Sequence, residues 1–348
     1  MRDLAEHDLS AGGDVLARVT DCARSALAEY RCHPDSVVEL LTVSENATFL
    51  VTDPDAGRSI LRVHRHGYHS LAAIASELAW MDALRAEAGV RTPRVLPARD
   101  GRRVVCVPER GGPERAPAER HCVRFEFVPG SEPAAADVAG LAGHFEELGA
   151  ITARMHGHAR SWAPPAWFTR FAWDVDAAFG GKPRWGRWRD GIGVGPAERE
   201  VLGRLERALR QRLAAFGAGP ARYGLVHADT RLANLLVHEG ATAVIDFDDA
   251  GFGWYLYDLG TAVSFFEHDP AVPALVEAWL DGYRRGARLP EADEAEIWTF
   301  ILFRRLLLVA WIGSHPAAAD AAALGADYTR DSCDLAERYL SQRGFWTT

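Results

Sequence analysis

The stretch His227-Ala228-Asp229-Thr230-Arg231-Leu232-Ala233-Asn234, followed by Val244-Ile245-Asp246-Phe247, places an aspartate, an asparagine five residues later and a second aspartate twelve beyond that in one short region. Nucleotide-dependent phosphoryl transfer needs this set. One carboxylate orients a hydroxyl nucleophile and accepts its proton, while an amide oxygen and a second carboxylate hold the Mg²⁺ ions that neutralise the phosphates. Asp229 is then the catalytic base, and Asn234 and Asp246 are the metal ligands. A small hard cation takes one or two such oxygens and completes its shell with phosphate and water. Any one of these short matches also describes an ordinary turn. Their order and combination point to a kinase acting on a hydroxyl group. His227 reads as a brace for the loop, not as a proton carrier.

These residues need elements to hold them. Residues 223–227 are strand-like and deliver the chain to the Asp229 loop. Two apolar runs, 235–237 and 243–245, suggest a hairpin turning at Glu239-Gly240, with Asn234 and Asp246 at its open end. Upstream, helical spacing covers 14–30, and strand-like runs cover 37–43, 47–52 and 59–64. A helix is expected over 70–88, and two more strands over 102–107 and 121–128. Five strands linked mostly by hairpins make an antiparallel sheet. After the breaker cluster 129–133 the pattern turns helical, at 135–158, 196–216, 271–284, 291–313 and 319–343. The expected fold class is α+β and bilobal, with a small antiparallel-sheet lobe carrying one helix (1–128) and a larger, mainly helical lobe (129–348).

The first lobe offers further candidates. Arg62 on the third strand suits the α- and β-phosphates, and Glu77 on the following helix suits a carboxylate that braces it. Ser44, Asn46 and Thr48, between the first two strands, could cap phosphate oxygens. The segment 125–128, with Glu126 and Val128, is where a nucleobase would lie against backbone groups. Asp248, Trp254, Tyr255, Glu267, Arg304 and Arg305 are candidates for the acceptor pocket. Five tryptophans (162, 167, 173, 185, 188) crowd one segment and could stack on a substrate or simply pack. His64, His66 and His69 lack acidic or thiol partners at metal-ligand spacing.

Composition narrows the partners. A net charge of −9 over 348 residues argues against a nucleic acid and mildly favours a cationic or neutral small molecule. No run of about eighteen uncharged apolar residues suggests a membrane span, and no apolar leader opens the chain. Five scattered cysteines fit free thiols in a reducing cytoplasm. A monomer or a homodimer is expected.

The run HADTRLANLLV…AVIDFDDAGFGWYLYDLGTAV resembles the aminoglycoside phosphotransferase/choline kinase superfamily, most closely its bacterial branch containing homoserine kinase type II and the stress-response kinase. ILRVHR, the helix bearing Glu77, FEFVPG and the segment 148–156 extend the likeness over about residues 37 to 310. The resemblance implies a protein-kinase-like fold, ATP or GTP as donor, and Mg²⁺. It implies Asp229 as base, Asn234 and Asp246 as metal ligands, and Asp258 as an organiser of the loop. There are departures from the protein-kinase pattern. No glycine follows Asp246-Phe247, no glycine-rich loop occurs, Arg62 stands where a lysine is usual, and eleven residues separate Asp246 from Asp258. That spacing leaves no room for a long activation loop and favours a constitutive small-molecule kinase. The alternatives are a protein Ser/Thr kinase of the stress-response type and a catalytically silent nucleotide-binding module. The presence of the base and both metal ligands speaks against the silent module.

Overall fold

The computed structural model describes residues 12–43, 46–109, 118–134, 137–316 and 318–341. They form two compact units. One comprises residues up to Asp82, Thr92–Pro129 and Pro165–Thr169; the other comprises Ala83–Arg91, Gly130–Pro164 and the chain from Arg170 onward.

In the first unit, helix α1 (Gly12–Leu27) precedes strands β1 (Val37–Val43), β2 (Ala47–Asp53) and β3 (Gly57–Val63). Helix α2 (Leu71–Glu87) follows, its last residues counting with the second unit; then come β4 (Val95–Leu96), β5 (Val105–Glu109) and β6 (Ala118–Glu126). The order β1-β2-β3-β6-β4, with β5 also on β6, is antiparallel throughout. Alternation explains the burial: Ala47, Phe49, Val51 and Asp53 of β2 point inward. Phe49, Val51, Leu61, Val63, Val105 and Cys122 meet Val15, Val19, Cys22 and Ala26 of α1 in one core. The sheet has six strands, one more than the sequence suggested. Val95–Leu96 lies between two prolines and is too short to show a period.

The second unit opens with α3 (Ala142–Ser161), entered through a 3₁₀ turn at Val138–Leu141 that Asp137 caps by accepting the Gly140 N–H at 2.9 Å. The helix therefore starts later than residue 135. β7 (Ala172–Trp173), α4 (Val175–Phe179), α5 (Pro196–Phe216), β8 (Tyr223–Val226), β9 (Leu235–His238), β10 (Ala241–Val244) and β11 (Gly251–Trp254) follow. β11 pairs antiparallel with β8 and parallel with β7. β9 and β10 form the expected hairpin. Its two-residue turn, Glu239 (φ 50°) and Gly240 (φ 74°), has the positive dihedrals that a tight hairpin needs.

Helices α6 (Tyr255–Ala262), α7 (Val272–Arg284), α8 (Glu291–Glu294), α9 (Ile297–Ser314) and α10 (Ala319–Leu340) complete the unit. The single helix expected over 291–313 is thus two, and α10 breaks at Gly325 (φ 51°, ψ −139°). The segment Glu291–Ser314 is long and apolar enough to cross a membrane by length and composition, although Arg304 and Arg305 interrupt its apolar run. However, 89% of its most apolar window is buried inside the protein, as befits a central core helix.

Two glycines set close helix approaches. A Cβ on Gly282 of α7 would strike the Glu146 carbonyl of α3. One on Gly260 of α6 would sit 2.7 Å from the Phe300 carbonyl of α9. The second contact brings Arg304, one turn further along α9, to the loop that follows β8.

Candidate active site

β8 ends at Val226, and the loop beyond it is held from below. Asp258 on α6 is fully buried. Its carboxylate accepts the backbone N–H of His227 at 3.1 Å and of Ala228 at 2.7 Å. Its third partner is His156 of α3, whose Nε2 lies 2.9 Å away, while His156 Nδ1 lies 3.0 Å from the Tyr283 hydroxyl. Burial holds the His156 imidazole below its usual range despite the opposing pull of Asp258, so the ring is neutral. Thr230 ties the far side of the loop, donating to the Asp258 carbonyl at 2.7 Å. With these anchors Ala228 sits at φ 66°, a left-handed conformation that a non-glycine residue adopts only when its surroundings impose it.

His227 braces the loop laterally. Its Nδ1 accepts the Asp229 N–H at 3.2 Å, so Nε2 carries the proton and donates to the Ile245 carbonyl at 3.0 Å. That bond, and the Ile245 N–H on the Asn234 carbonyl at 2.9 Å, clamp the start of the hairpin to the loop. The pairing of Leu235 with Val244 then puts Asn234 opposite Ile245, with Asp246 the next residue, at the hairpin's open end. Asp246 is also left-handed, at φ 61°.

Asp229 is the centre of the cluster. Its Oδ2 accepts from Asn234 Nδ2 at 2.7 Å, and its Oδ1 accepts from Arg304 Nη2 at 2.7 Å. Arg231 Nε stands 3.4 Å from Oδ2 and reaches Asp320 Oδ2 at 2.8 Å with Nη1. Burial works to raise the Asp229 pKa, but Arg231 and Arg304, with His227 and the Asn234 hydrogen bond, outweigh it and hold the carboxyl below its ordinary range. The group is an anion that orients well and is a weak base. Because Asn234 spends its amide N–H groups on Asp229, its carbonyl oxygen remains for a cation. Among the described residues no three His, Cys, Asp or Glu side chains gather into a metal cage. Two protein oxygens, from Asn234 and Asp246, fit an ion that takes its other ligands from phosphates and water.

The remaining candidates fall into two groups. Asp248 and Asp249 follow Asp246 in a 3₁₀ turn whose carbonyls are bonded by Arg170 and by Trp173 Nε1. Asp248 is buried and Asp249 half-buried. Trp254 and Tyr255 do not join the Asp229 cluster. Trp254 pairs with Tyr223, at the opposite end of β8, and Tyr255 packs in the interior with its ring tilted against His156 and under Arg160. Glu267 and Arg305 do not join it either. They form a closed ion pair at 2.5 Å with exposures of 0% and 1%, sealed by Tyr328 and Ser332. Adjacent residues on a helix point about 100° apart, so Arg304 reaches the loop while its neighbour reaches α10. Of the tryptophans, Trp173, Trp185 and Trp188 are packed in the interior.

The first unit holds its own candidates. Arg62 Nη1 donates to Glu77 Oε1 at 2.7 Å, with Glu77 wholly buried. Thr48 lies opposite Arg62 in the strand register. Asn46 is buried, its carbonyl accepting the Arg65 N–H at 3.0 Å. Glu126 ends β6 and accepts the Arg94 N–H at 3.0 Å; Val128 lies past the strand. Ser44 lies outside the described residues.

Arg231, His156 and Thr230 escaped the sequence reading. Thr230 and Arg231 had a local signal, their places directly after Asp229, and His156 lay in the segment 148–156.

Residues 37–295 match the phosphotransferase enzyme family. The chain is 49% identical to a microcompartment-associated aminopropanol kinase of known structure, with a TM-score of 0.84 over 93% of this chain and 98% of that one. An amicoumacin kinase solved with AMP-PNP, Ca²⁺ and Ami is 24% identical, with a TM-score of 0.74 over 92% and 95% of the two chains. The amicoumacin kinase of Bacillus subtilis (strain 168) is 27% identical over 218 residues, which is 60% of this chain and 59% of that one.

Proposed function

Because this chain belongs to the phosphotransferase enzyme family, we propose that its acceptor is a small amino alcohol and its donor is ATP with Mg²⁺. That it is a small-molecule kinase phosphorylating a hydroxyl follows from the family and from its similarity to aminopropanol kinase along nearly its whole length. The finer assignment is carried by one observation, the 49% identity to that kinase over 98% of its length. The negative charge at Asp248 and Asp249, beside Asp246, suits a substrate bearing an ammonium group.

Asp229 receives the acceptor hydroxyl and takes its proton as the oxygen bonds to the γ-phosphorus and the bond from that phosphorus to the bridging β-phosphate oxygen breaks, releasing ADP. Its two oxygens are already held, so the hydroxyl meets a carboxylate of defined direction. Mg²⁺ between Asn234, Asp246 and the phosphates would neutralise charge on the transferred group. Arg62, steadied by Glu77, is assigned to the donor phosphates, with Thr48 beside it, and the backbone near Glu126 and Val128 to the nucleobase. Positioning and charge neutralisation supply the rate. A nucleotide donor and five free cysteines fit a cytoplasmic enzyme.

The test is a substrate panel with ATP or GTP: 1-amino-2-propanol, ethanolamine, choline, 1,2-propanediol, an aminoglycoside and casein, with products read by phosphorus NMR. The expected product is an O-phosphorylated vicinal amino alcohol. A preference for the diol, or phosphate appearing on casein alone, would remove the amino-alcohol reading.

A further inference from the structure

We propose that Arg304 is a positioning residue for phosphoryl transfer, one whose guanidinium fixes the Asp229 carboxylate in the orientation that meets the acceptor hydroxyl. The inference rests on Asp229 being the group that receives that hydroxyl.

Arg304 and Arg305 provide an internal comparison. They are consecutive on the same core helix, and both are almost completely buried. Burying a guanidinium costs several kcal/mol unless its donors are satisfied. Arg305 meets that requirement in a way that serves the fold. Its partner Glu267 is fully buried, and the second Glu267 oxygen is taken by the Tyr328 hydroxyl at 2.9 Å. Nothing of that pair is left for a ligand. Arg304 is paired to a carboxylate whose side chain keeps 15% of its surface exposed, at the end of a loop strained to present it.

The anchoring of Arg304 is directional. Nε donates to Ser264 Oγ at 3.1 Å. Nη1 reaches the Tyr257 hydroxyl at 3.2 Å and the Ala228 carbonyl at 3.4 Å. The Arg304 Cζ lies over the Trp185 ring, 5.0 Å from the centroid. Three sides of the fork are thus held by neutral groups, and Nη2 alone points at Asp229 Oδ1. Asn234 holds the other oxygen. A carboxylate can swing about its last torsion at little cost. Swinging this one would break the charge-assisted hydrogen bond from Arg304 on one side and the hydrogen bond from the Asn234 amide on the other. The arrangement therefore restricts Asp229 to a single plane, and the aromatic and hydroxyl neighbours of Arg304 act through it.

The experiment compares Arg304→Met, Arg304→Lys, Tyr257→Phe and Asp229→Asn under steady-state conditions with ATP and 1-amino-2-propanol, each variant checked for its thermal midpoint and nucleotide affinity. Arg304→Met is expected to lower kcat roughly 10²-fold, with the KM for ATP within about twofold of wild type. Arg304→Lys, which keeps the charge without the fork, should recover part of kcat. Tyr257→Phe deletes one oxygen and leaves the guanidinium in place; it should lower kcat several-fold at unchanged midpoint, and it decides the matter if Arg304→Met does not fold. A folded Arg304→Met variant with wild-type kcat, or Tyr257→Phe with wild-type kcat, overturns the proposal. If Asp229→Asn itself keeps full turnover, the assignment of the base fails instead, and the two failures are distinguishable.

Discussion

Asp258 accepts the backbone N–H of Ala228 at 2.7 Å, and that same residue sits at φ 66°. The strained loop and the buried carboxylate explain each other. The chain takes an unfavourable turn because two consecutive N–H groups can then converge on one anion. Asp258→Ala would leave both N–H groups and the His156 ring without their partner. The expected cost is about 1–3 kcal/mol for each buried donor left unsatisfied, read as a lowered thermal midpoint, with kcat reduced even where the protein stays folded. Stability equal to wild type would show that the carboxylate does not support the loop.

Asp229 and Asp246 should separate kinetically. Asp229→Asn is expected to reduce turnover by roughly 10²–10⁴-fold with little change in nucleotide affinity by calorimetry. Asp246→Asn should raise the Mg²⁺ concentration for half-maximal rate by roughly tenfold or more. Wild-type Mg²⁺ dependence in Asp246→Asn would reassign the ligand.

Glu77 is the more deeply buried member of its pair with Arg62. Removing its charge by Glu77→Gln frees Arg62 to move and should raise the KM for ATP more than it lowers kcat. Arg62→Met should do the same and also destabilise the first unit, since it leaves a carboxylate buried alone. An unchanged KM for ATP in both variants would detach the pair from nucleotide binding.

The Glu267–Arg305 pair should behave oppositely. Arg305→Met strands Glu267 in the interior and is expected to cost about 3–5 kcal/mol of stability. The fraction that remains folded should turn over at the wild-type rate. A selective loss of kcat would place this pair in the reaction after all.

His156 gives a pH dependence with a definite sign. Burial lowers its folded pKa below the unfolded value of about 6.5, outweighing Asp258. The unfolded chain therefore binds this proton first as pH falls, and the native state loses stability below about pH 6.5. His156→Gln should shrink the drop in thermal midpoint between pH 8 and 5.5 relative to wild type. An identical drop in the variant would show that other groups govern it.

Much of the site was legible because it is local. The Asp229–Asn234–Asp246 spacing lies within one loop and one hairpin, and Glu239-Gly240 announces the turn that returns the chain to the end of the hairpin where Asn234 lies. Arg62 and Glu77 belong to a strand and the next helix, so their periods could be read directly. Helix boundaries and β4 were not legible, because capping at Asp137 and a two-residue strand between prolines leave almost no periodic signal.

What the sequence determined by itself was the inventory: a carboxylate, an amide and a second carboxylate at hairpin spacing, behind a β-rich half. What only the tertiary structure decided was which distant groups hold that inventory in place. Arg304 and Arg305 are the same residue type at consecutive positions. One faces Asp229 and the other faces Glu267 because helix phase turns them about 100° apart and the close approach of Gly260 to Phe300 fixes where α9 lies. His156 meets Asp258 across 102 positions of chain. Such contacts depend on how helices pack, and no spacing along the chain encodes them.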